Sequence, residues 1–318
     1  DYGVDDFPVI IQDKDFNQDG SFSYLASARD KLMGMMGQTI LVNGVINPVL
    51  NAKKSLIRLR LLNGSNARTY HLRFDDKRPF HIIASDGGLL EKTIKTGSIK
   101  IAPAERVEIL VDVADGKMPI LQHHTPVNAS ANRMTGMGMM GMARGEKRNF
   151  DIFQINASNT EFSTRQIPVN LVAHKPISMS HVVRKRQMKL QMNMGPMLML
   201  GALSGSHDLL KINGRSMDIN RIDEVVKAGS TELWEIENTS MMAHPFHIHN
   251  VQFKIIARRG KVKGHELGFK DVVLVHPHET VQVLIKFPEF SDAKTPYMYH
   301  CHILEHEDLG MMGQFVVV

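Results

Sequence analysis

Thr280-Val281-Gln282-Val283-Leu284-Ile285-Lys286-Phe287 is a short run rich in Val, Ile and Leu. Leu56–Leu62, Val107–Val113 and Gln314–Val318 resemble it, and all four lie between turns built from Gly, Pro, Asn and Asp. Helix-type apolar spacing is rare. Short strands at this rhythm predict an all-β sandwich, repeated along the chain. A length of 318 residues predicts two domains.

Two His-rich motifs flank that run. Upstream stands His244-Pro245-Phe246-His247-Ile248-His249, and downstream His300-Cys301-His302, followed by His306 and Met311. On a strand, residues two apart share a face. His247 and His249 then face one way, as do His300 and His302, while Cys301 faces the other. Such a strand offers a thiolate to one metal centre and two imidazoles to a second, a few covalent bonds apart. Cys301, His306, Met311 and His244 together supply one thiolate, two imidazoles and one thioether, the ligand set of a blue-copper electron-transfer site with Met as weak axial ligand. Zinc is the competing ion, but its structural sites rarely combine one Cys with Met. The His-only side needs further ligands and suits copper that handles O₂.

Composition narrows the partners. The chain has 1 Cys, which excludes an intrachain disulfide, with 21 Met and 16 His. The formal charge is +5, but the basic residues are scattered, and the cluster Arg184-Lys185-Arg186 is too short to argue for nucleic acid. No apolar run reaches the roughly 20 residues of a membrane span. No secretory leader is read at the start. Asp1-Tyr2-Gly3 is followed at once by a strand reading at Phe7–Gln12, so a fragment of a longer precursor is expected.

Three stretches are expected: a domain over 1–155, a Met-rich connector over 156–205, and a second domain over 206–318. The connector reading rests on Pro168, Pro176, Pro196, the basic cluster and the run from Met188 to Met199. Asn43-Gly44, Asn63-Gly64, Ser85-Asp86-Gly87-Gly88 and Asn213-Gly214 read as turns. The Met/Gly tract Met134–Met142 has no periodicity and reads as a loop. His276-Pro277-His278, in a turn-like segment before a strand, reads as a solvated loop, and His123-His124 as a loop pair. His71 and His81 stand alone in the sequence.

At these residues the chain resembles the multicopper oxidases, most closely the bacterial periplasmic cuprous oxidases, which are laccase-like. Leu59-Arg60-Leu61-Leu62-Asn63-Gly64-Ser65-Asn66-Ala67-Arg68 and Ala102-Pro103-Ala104-Glu105-Arg106 look like the middle-domain signatures, and His300 to Met312 looks like the terminal one. The resemblance implies two cupredoxin-like Greek-key β-sandwich domains, the second and third of a three-domain oxidase. It implies that His244, Cys301, His306 and Met311 bind type 1 copper, that His247 binds type 2 copper, and that His249, His300 and His302 bind the type 3 pair. Glu307 matches an acidic residue that helps deliver protons. The implied activity is one-electron oxidation of Cu(I) or small aromatic (phenolic) donors, coupled to four-electron reduction of O₂ to water, in copper tolerance and in the periplasm. A complete enzyme of this kind takes further His-x-His motifs from a first domain, which is not found here. The type 2 and type 3 sites are therefore expected to need ligands from a separate N-terminal domain or partner.

Thioether sulfur is soft and favours Cu(I). Met194, Met197, Met199, Met241 and Met242 are candidates for a substrate-copper site. Met194 and Met242 match the family's Met positions, while Met199 and Ser240 stand where it has acidic residues. The competing reading is flexible core filler. Met134–Met142, with Gly interleaved, reads as copper capture, and Met33, Met35 and Met36 are left unassigned. The alternative to an oxidase is a non-catalytic blue-copper electron-transfer or copper-sequestering module. The four imidazoles of His247, His249, His300 and His302 favour the oxidase, because a simple carrier has no use for them.

Overall fold

A computed structural model describes residues 1–25, 27–125, 149–192 and 209–318. The described chain divides into two compact units, residues 1–24, 36–84 and 92–171, and residues 25–35, 85–91 and 172–318. Among the described residues no helix is long and apolar enough to cross a membrane.

The first unit is built on two sheets. One has seven strands in the order Val45–Ile46, Thr39–Val42, Asp6–Lys14, Leu56–Asn63, Arg106–Asp112, Phe80–Ser85 and Gly88–Thr96. The other has five, in the order Val49–Asn51, Asn149–Asn156, Ile120–His124, Tyr70–Phe74 and Ile99–Ile101. Alternation explains the layering. Ile57, Leu59, Leu61 and Asn63 are buried, while the residues between them are half-buried. The core closes over Tyr70, Phe74 and Phe80, none of them exposed.

The second unit has two five-stranded sheets. One runs Leu210–Ile212, Val182–Met192, Thr231–Asn238, Thr280–Lys286 and Phe253–Ala257, the other Glu224–Val226, Met312–Val317, Asp292–Cys301, His244–Ile248 and Val272–Val275. Trp234 lies at the centre, edge-on to Tyr299 and Phe315 at 5.8 and 6.2 Å. Burying each such side chain contributes about 1.5–3 kcal/mol.

A shared device marks the two units as variations on one plan. Asn63 and Asn238 each end a strand, and each accepts a hydrogen bond from the amide two residues on, Ser65 or Ser240. Their amide nitrogens donate to two carbonyls apiece, Arg68 and Ile101 in one, Met242 and Val275 in the other. Ala102-Pro103-Ala104-Glu105 and His276-Pro277-His278-Glu279 form matching turns. The fourth residue's amide donates to the first residue's carbonyl, and the third residue has a positive φ, 65° at Ala104 and 54° at His278.

Several expectations are corrected here. The stretch read as a connector contains the 11-residue strand Val182–Met192. Arg184-Lys185-Arg186 hides its alternation. Arg184 and Lys185 face solvent, whereas Arg186 turns inward and is paired with Glu224 and Glu232. Met188 and Met192 of the Met-rich run are core residues of this strand, and Met35 is buried as well. Asn63-Gly64 is not a hairpin turn, because Asn63 is committed to the bracing just described. His123 and His124 are the last residues of the strand Ile120–His124, not a loop. Asn43-Gly44 does turn tightly, with φ of 50° and 80° and Val42 paired to Val45.

Candidate metal centre

Two groups of ligand atoms form in the second unit: His244, Cys301 and His306, and His247, His249 and His300, each with its donor atoms within 4.8 Å of one another. Strand pairing brings them together. Phe246 lies opposite Cys301, and His247 opposite His300. His249 and His302 each fall one residue beyond a strand end, yet their rings still join the imidazole face. His247 is 5.0 Å from His249 and 5.7 Å from His302 between ring centres, and His300 is 5.3 Å from His302. The opposite-face reading of His300, Cys301 and His302 therefore holds in space.

The Cys301 group is closed and dry, with Cys301, His244 and His306 all at 0% exposure. Its Sγ lies 3.4 Å from His244 Nδ1 and 3.6 Å from His306 Nδ1, and the two nitrogens are 3.3 Å apart. The short helix Leu304–Asp308 returns His306 to the cysteine. Met311 follows, its amide donating to the His306 carbonyl and its carbonyl accepting from the Cys301 amide, with a fully buried side chain.

The outer ring nitrogens set the tautomers. His306 Nε2 donates to the Leu32 carbonyl at 2.8 Å, at the end of the helix Ala28–Met33. A carbonyl only accepts, so the neutral ring keeps its Nδ1 lone pair for the cluster. The Ser240 hydroxyl proton has acceptors in Asn238 Oδ1 and the Met242 carbonyl, at 2.8 and 3.0 Å, so its oxygen accepts from His244 Nε2 at 2.8 Å. Burial pushes the His306 pKa down to about 4 and the His244 pKa well below the usual range, the latter helped by His306. Burial pushes the Cys301 thiol up. A buried thiolate without a counter-charge is costly, and a cation held between these three atoms removes that cost. One sulfur with two bare imidazole nitrogens fits a copper ion.

The imidazole group is more open and lies against a cavity of about 1480 Å³ lined by His247, His249, His174, His181, Asp271 and Tyr297 among others. His247 Nδ1 donates to the Asp271 carbonyl at 2.8 Å. His300 Nδ1 donates to the Cys301 carbonyl at 3.0 Å and lies 3.2 Å from the Glu307 carboxylate. Their Nε2 atoms are left as donors to a metal, and His300 Nε2 meets His249 Nε2 at 3.1 Å. Burial brings the His247 pKa down to about 4 against the pull of Asp271, and it lowers His249 and His302 with help from the His300 charge. Burial works to raise the Glu307 pKa, but the hydrogen bond and charge of His300 outweigh it and hold the carboxyl below its ordinary value.

Sequence reasoning missed the residues behind the ligands, namely Ser240, Leu32, Asp271 and the pair Asp86 and Lys270. Ser240, which stands where the family has an acidic residue, is 4% exposed, and its Oγ lies 2.8 Å from His244 Nε2. Met242 is half-buried beside it. Met194, Met197, Met199 and the tract Met134–Met142 lie outside the described residues. His71, alone in sequence, has the ring of His123 edge-on at 6.1 Å.

Known proteins resolve the class. Two family profiles described as multicopper oxidase match residues 9–137 and 183–318. A multicopper oxidase of Staphylococcus haemolyticus is 36% identical over 99% of this chain and 60% of its own length. A cell division protein, FtsP, of Xenorhabdus nematophila is 35% identical over 99% of this chain and 62% of its own length. The laccase-like multicopper oxidase CueO of Ochrobactrum sp. superposes with a TM-score of 0.81 and 29% identity, over 100% of this chain and 68% of that one. The chain thus spans about 60% of the length of the curated relatives it matches. Its sandwiches are cupredoxin-like domains, and the chain belongs to the multicopper oxidase family.

Proposed function

We propose that this chain is the type 1 copper-bearing part of an oxidase that couples one-electron oxidation of Cu(I) or phenolic donors to reduction of O₂ to water. The observation that carries the reading is Cys301 itself. Its thiol faces one cluster while its chain neighbours His300 and His302 face the other, so a few covalent bonds join an electron-entry site to an imidazole site. Copper bound at the two clusters would supply one-electron transfer and O₂ chemistry.

The chain's own residues do the rest. His244, Cys301, His306 and Met311 would hold the type 1 ion, and the burial of all four excludes water. His247 would serve the type 2 ion, and His249, His300 and His302 the type 3 pair. Any further donors to those ions would come from a separate N-terminal domain or partner. The Glu307 carboxylate lies 3.2 Å from His300 Nδ1 and is placed to relay protons beside the cluster. Met194, Met199 and Met242 are proposed as substrate-copper ligands, with copper tolerance in the periplasm as the setting.

The second reading, a non-catalytic copper module, is supported by one observation: a relative 35% identical over 99% of this chain is named a cell division protein and not an oxidase. The experiment is copper reconstitution, followed by O₂ uptake with Cu(I) and with a phenol. Visible thiolate absorption with donor-dependent O₂ consumption, by the chain alone or once an N-terminal domain is added, supports the oxidase. Absorption without consumption in either case favours the carrier, and absence of absorption removes both.

A further inference from the structure

The helix Ala28–Met33 is six residues long. Starting a helix fixes several residues for one hydrogen bond, so a piece this short does not stay helical unaided. Both of its ends are fastened. At the start, the Asp30 amide donates to Ser27 Oγ at 3.2 Å, and the Ser27 amide donates to Asp30 Oδ2 at 3.0 Å. This is a reciprocal capping box, with Asp30 only 2% exposed. At the end, Gly34 takes a φ of 77° and turns the chain out of the helix, while Leu32 and Met35 are buried beside it.

The last carbonyls of a helix have no partner inside it. The Leu32 carbonyl finds one in His306 Nε2, at 2.8 Å. His306 is fully buried, so a fixed carbonyl here replaces the water that an exposed ring would bond. The helix thus delivers one main-chain acceptor to the outer edge of a candidate copper ligand.

That contact has a redox consequence beyond the choice of tautomer. A carbonyl on the outer N–H draws the proton away from the ring and makes the other nitrogen more basic. A more basic nitrogen favours the more highly charged Cu(II) over Cu(I). The firmness with which Leu32 is held therefore bears on the potential of the cluster.

We infer that Ser27 and Asp30 are positioning residues that act through the Leu32 carbonyl to favour Cu(II) at the Cys301 cluster and so lower its reduction potential. The inference rests on the reading of that cluster as the type 1 site.

The test compares the full wild-type chain with Asp30→Ala, which opens the capping box, and Asp30→Asn, which keeps an acceptor for the Ser27 amide. Cu(II) and Cu(I) affinities are measured separately, each by competition with a chelator for that ion. Asp30→Ala should bind Cu(II) about tenfold more weakly and Cu(I) as wild type does. That raises the potential by about 59 mV for a one-electron couple. Asp30→Asn should restore the wild-type ratio. In the copper-free chain, nitrogen NMR of the His306 ring should show a single Nε2-protonated tautomer in wild type and Asp30→Asn, and a mixture in Asp30→Ala. Equal weakening for both ions overturns the inference, because a merely loosened site loses both alike. So does an unchanged ratio, or a single ring tautomer in all three proteins. Absence of a thiolate band in copper-loaded wild type instead removes the type 1 reading and the redox effect with it, while the ring spectra still report whether the capping box positions Leu32.

Discussion

Lys270 Nζ lies 2.8 Å from Asp86 Oδ2, and neither side chain is exposed to any degree. The same carboxylate oxygen faces the amides of Asp271 and Val272 at 3.3 and 3.4 Å. Asp271 in turn receives the Nδ1 proton of His247 on its carbonyl. The segment is further pinned where the Ser85 hydroxyl and the Gly87 amide both donate to the Phe269 carbonyl. A Cβ at Gly268 would lie 2.0 Å from Ser85 Oγ and would displace the hydroxyl that holds Phe269. A buried ion pair thus supports the backbone that orients a candidate metal ligand.

Removing one member of such a pair strands a buried charge and costs about 3–5 kcal/mol. Asp86→Asn should therefore lower the unfolding free energy by about that amount, measured in urea. Asp86→Leu combined with Lys270→Met removes both charges and should recover much of the loss. A loss under about 1 kcal/mol in Asp86→Asn would show that the pair is dispensable.

Ser240→Ala tests the hydrogen bond behind His244. Without its hydroxyl partner, His244 Nε2 no longer fixes the tautomer that points Nδ1 at Cys301. Loss of such an outer partner typically costs 10–100-fold in metal affinity, so copper affinity of the Cys301 site should fall by about that factor. The readout is competition with a chelator while the visible band is followed. Unchanged affinity would mean that Ser240 only fills space.

Cys301→Ala separates the two clusters. The thiolate band should vanish and bound copper should fall by one per chain, because the remaining ligands of that site are two neutral imidazoles and a thioether. His247, His249, His300 and His302 keep their positions, since the strand pairing of His300 with His247 does not use the sulfur. Retention of the band would mean that the sulfur is not a copper ligand.

The two clusters of candidate ligands were legible in the sequence because their residues fall in two short motifs whose strand geometry follows from alternation alone. Cys301 turned away from His300 and His302 as the two-residue period requires. The supports were not legible. Leu32 acts through a main-chain carbonyl that any residue would offer, and its helix is six residues long, a length at which periodicity carries no signal. Asp86 and Lys270 lie 184 positions apart, and single charges at turn and strand positions read as solvated. Val182–Met192 was obscured by three consecutive basic residues, one of which folds inward onto two carboxylates.

His123, in the first unit, gives the pH prediction. Its ring stacks on Phe150 at 4.7 Å and its Nδ1 accepts the His71 amide. Burial, with the positive charges of Arg68, His71 and His124, lowers its pKa to about 3. An unfolded histidine titrates near 6.5, so between about pH 6.5 and 3 the unfolded chain binds a proton that the folded chain refuses. Stability from this residue is whole above that window and declines as the pH falls through it, by up to about 1.4 kcal/mol per pH unit. His123→Gln keeps an acceptor for His71 and carries no titrating proton. At pH 7 it should be less stable than wild type by about 1 kcal/mol, since the ring stack is lost. The gap should close and reverse towards pH 4.5, where only wild type carries the penalty. Thermal midpoints of the two proteins across that range decide the matter. Parallel curves would place the acid sensitivity elsewhere, among the buried histidines of the second unit.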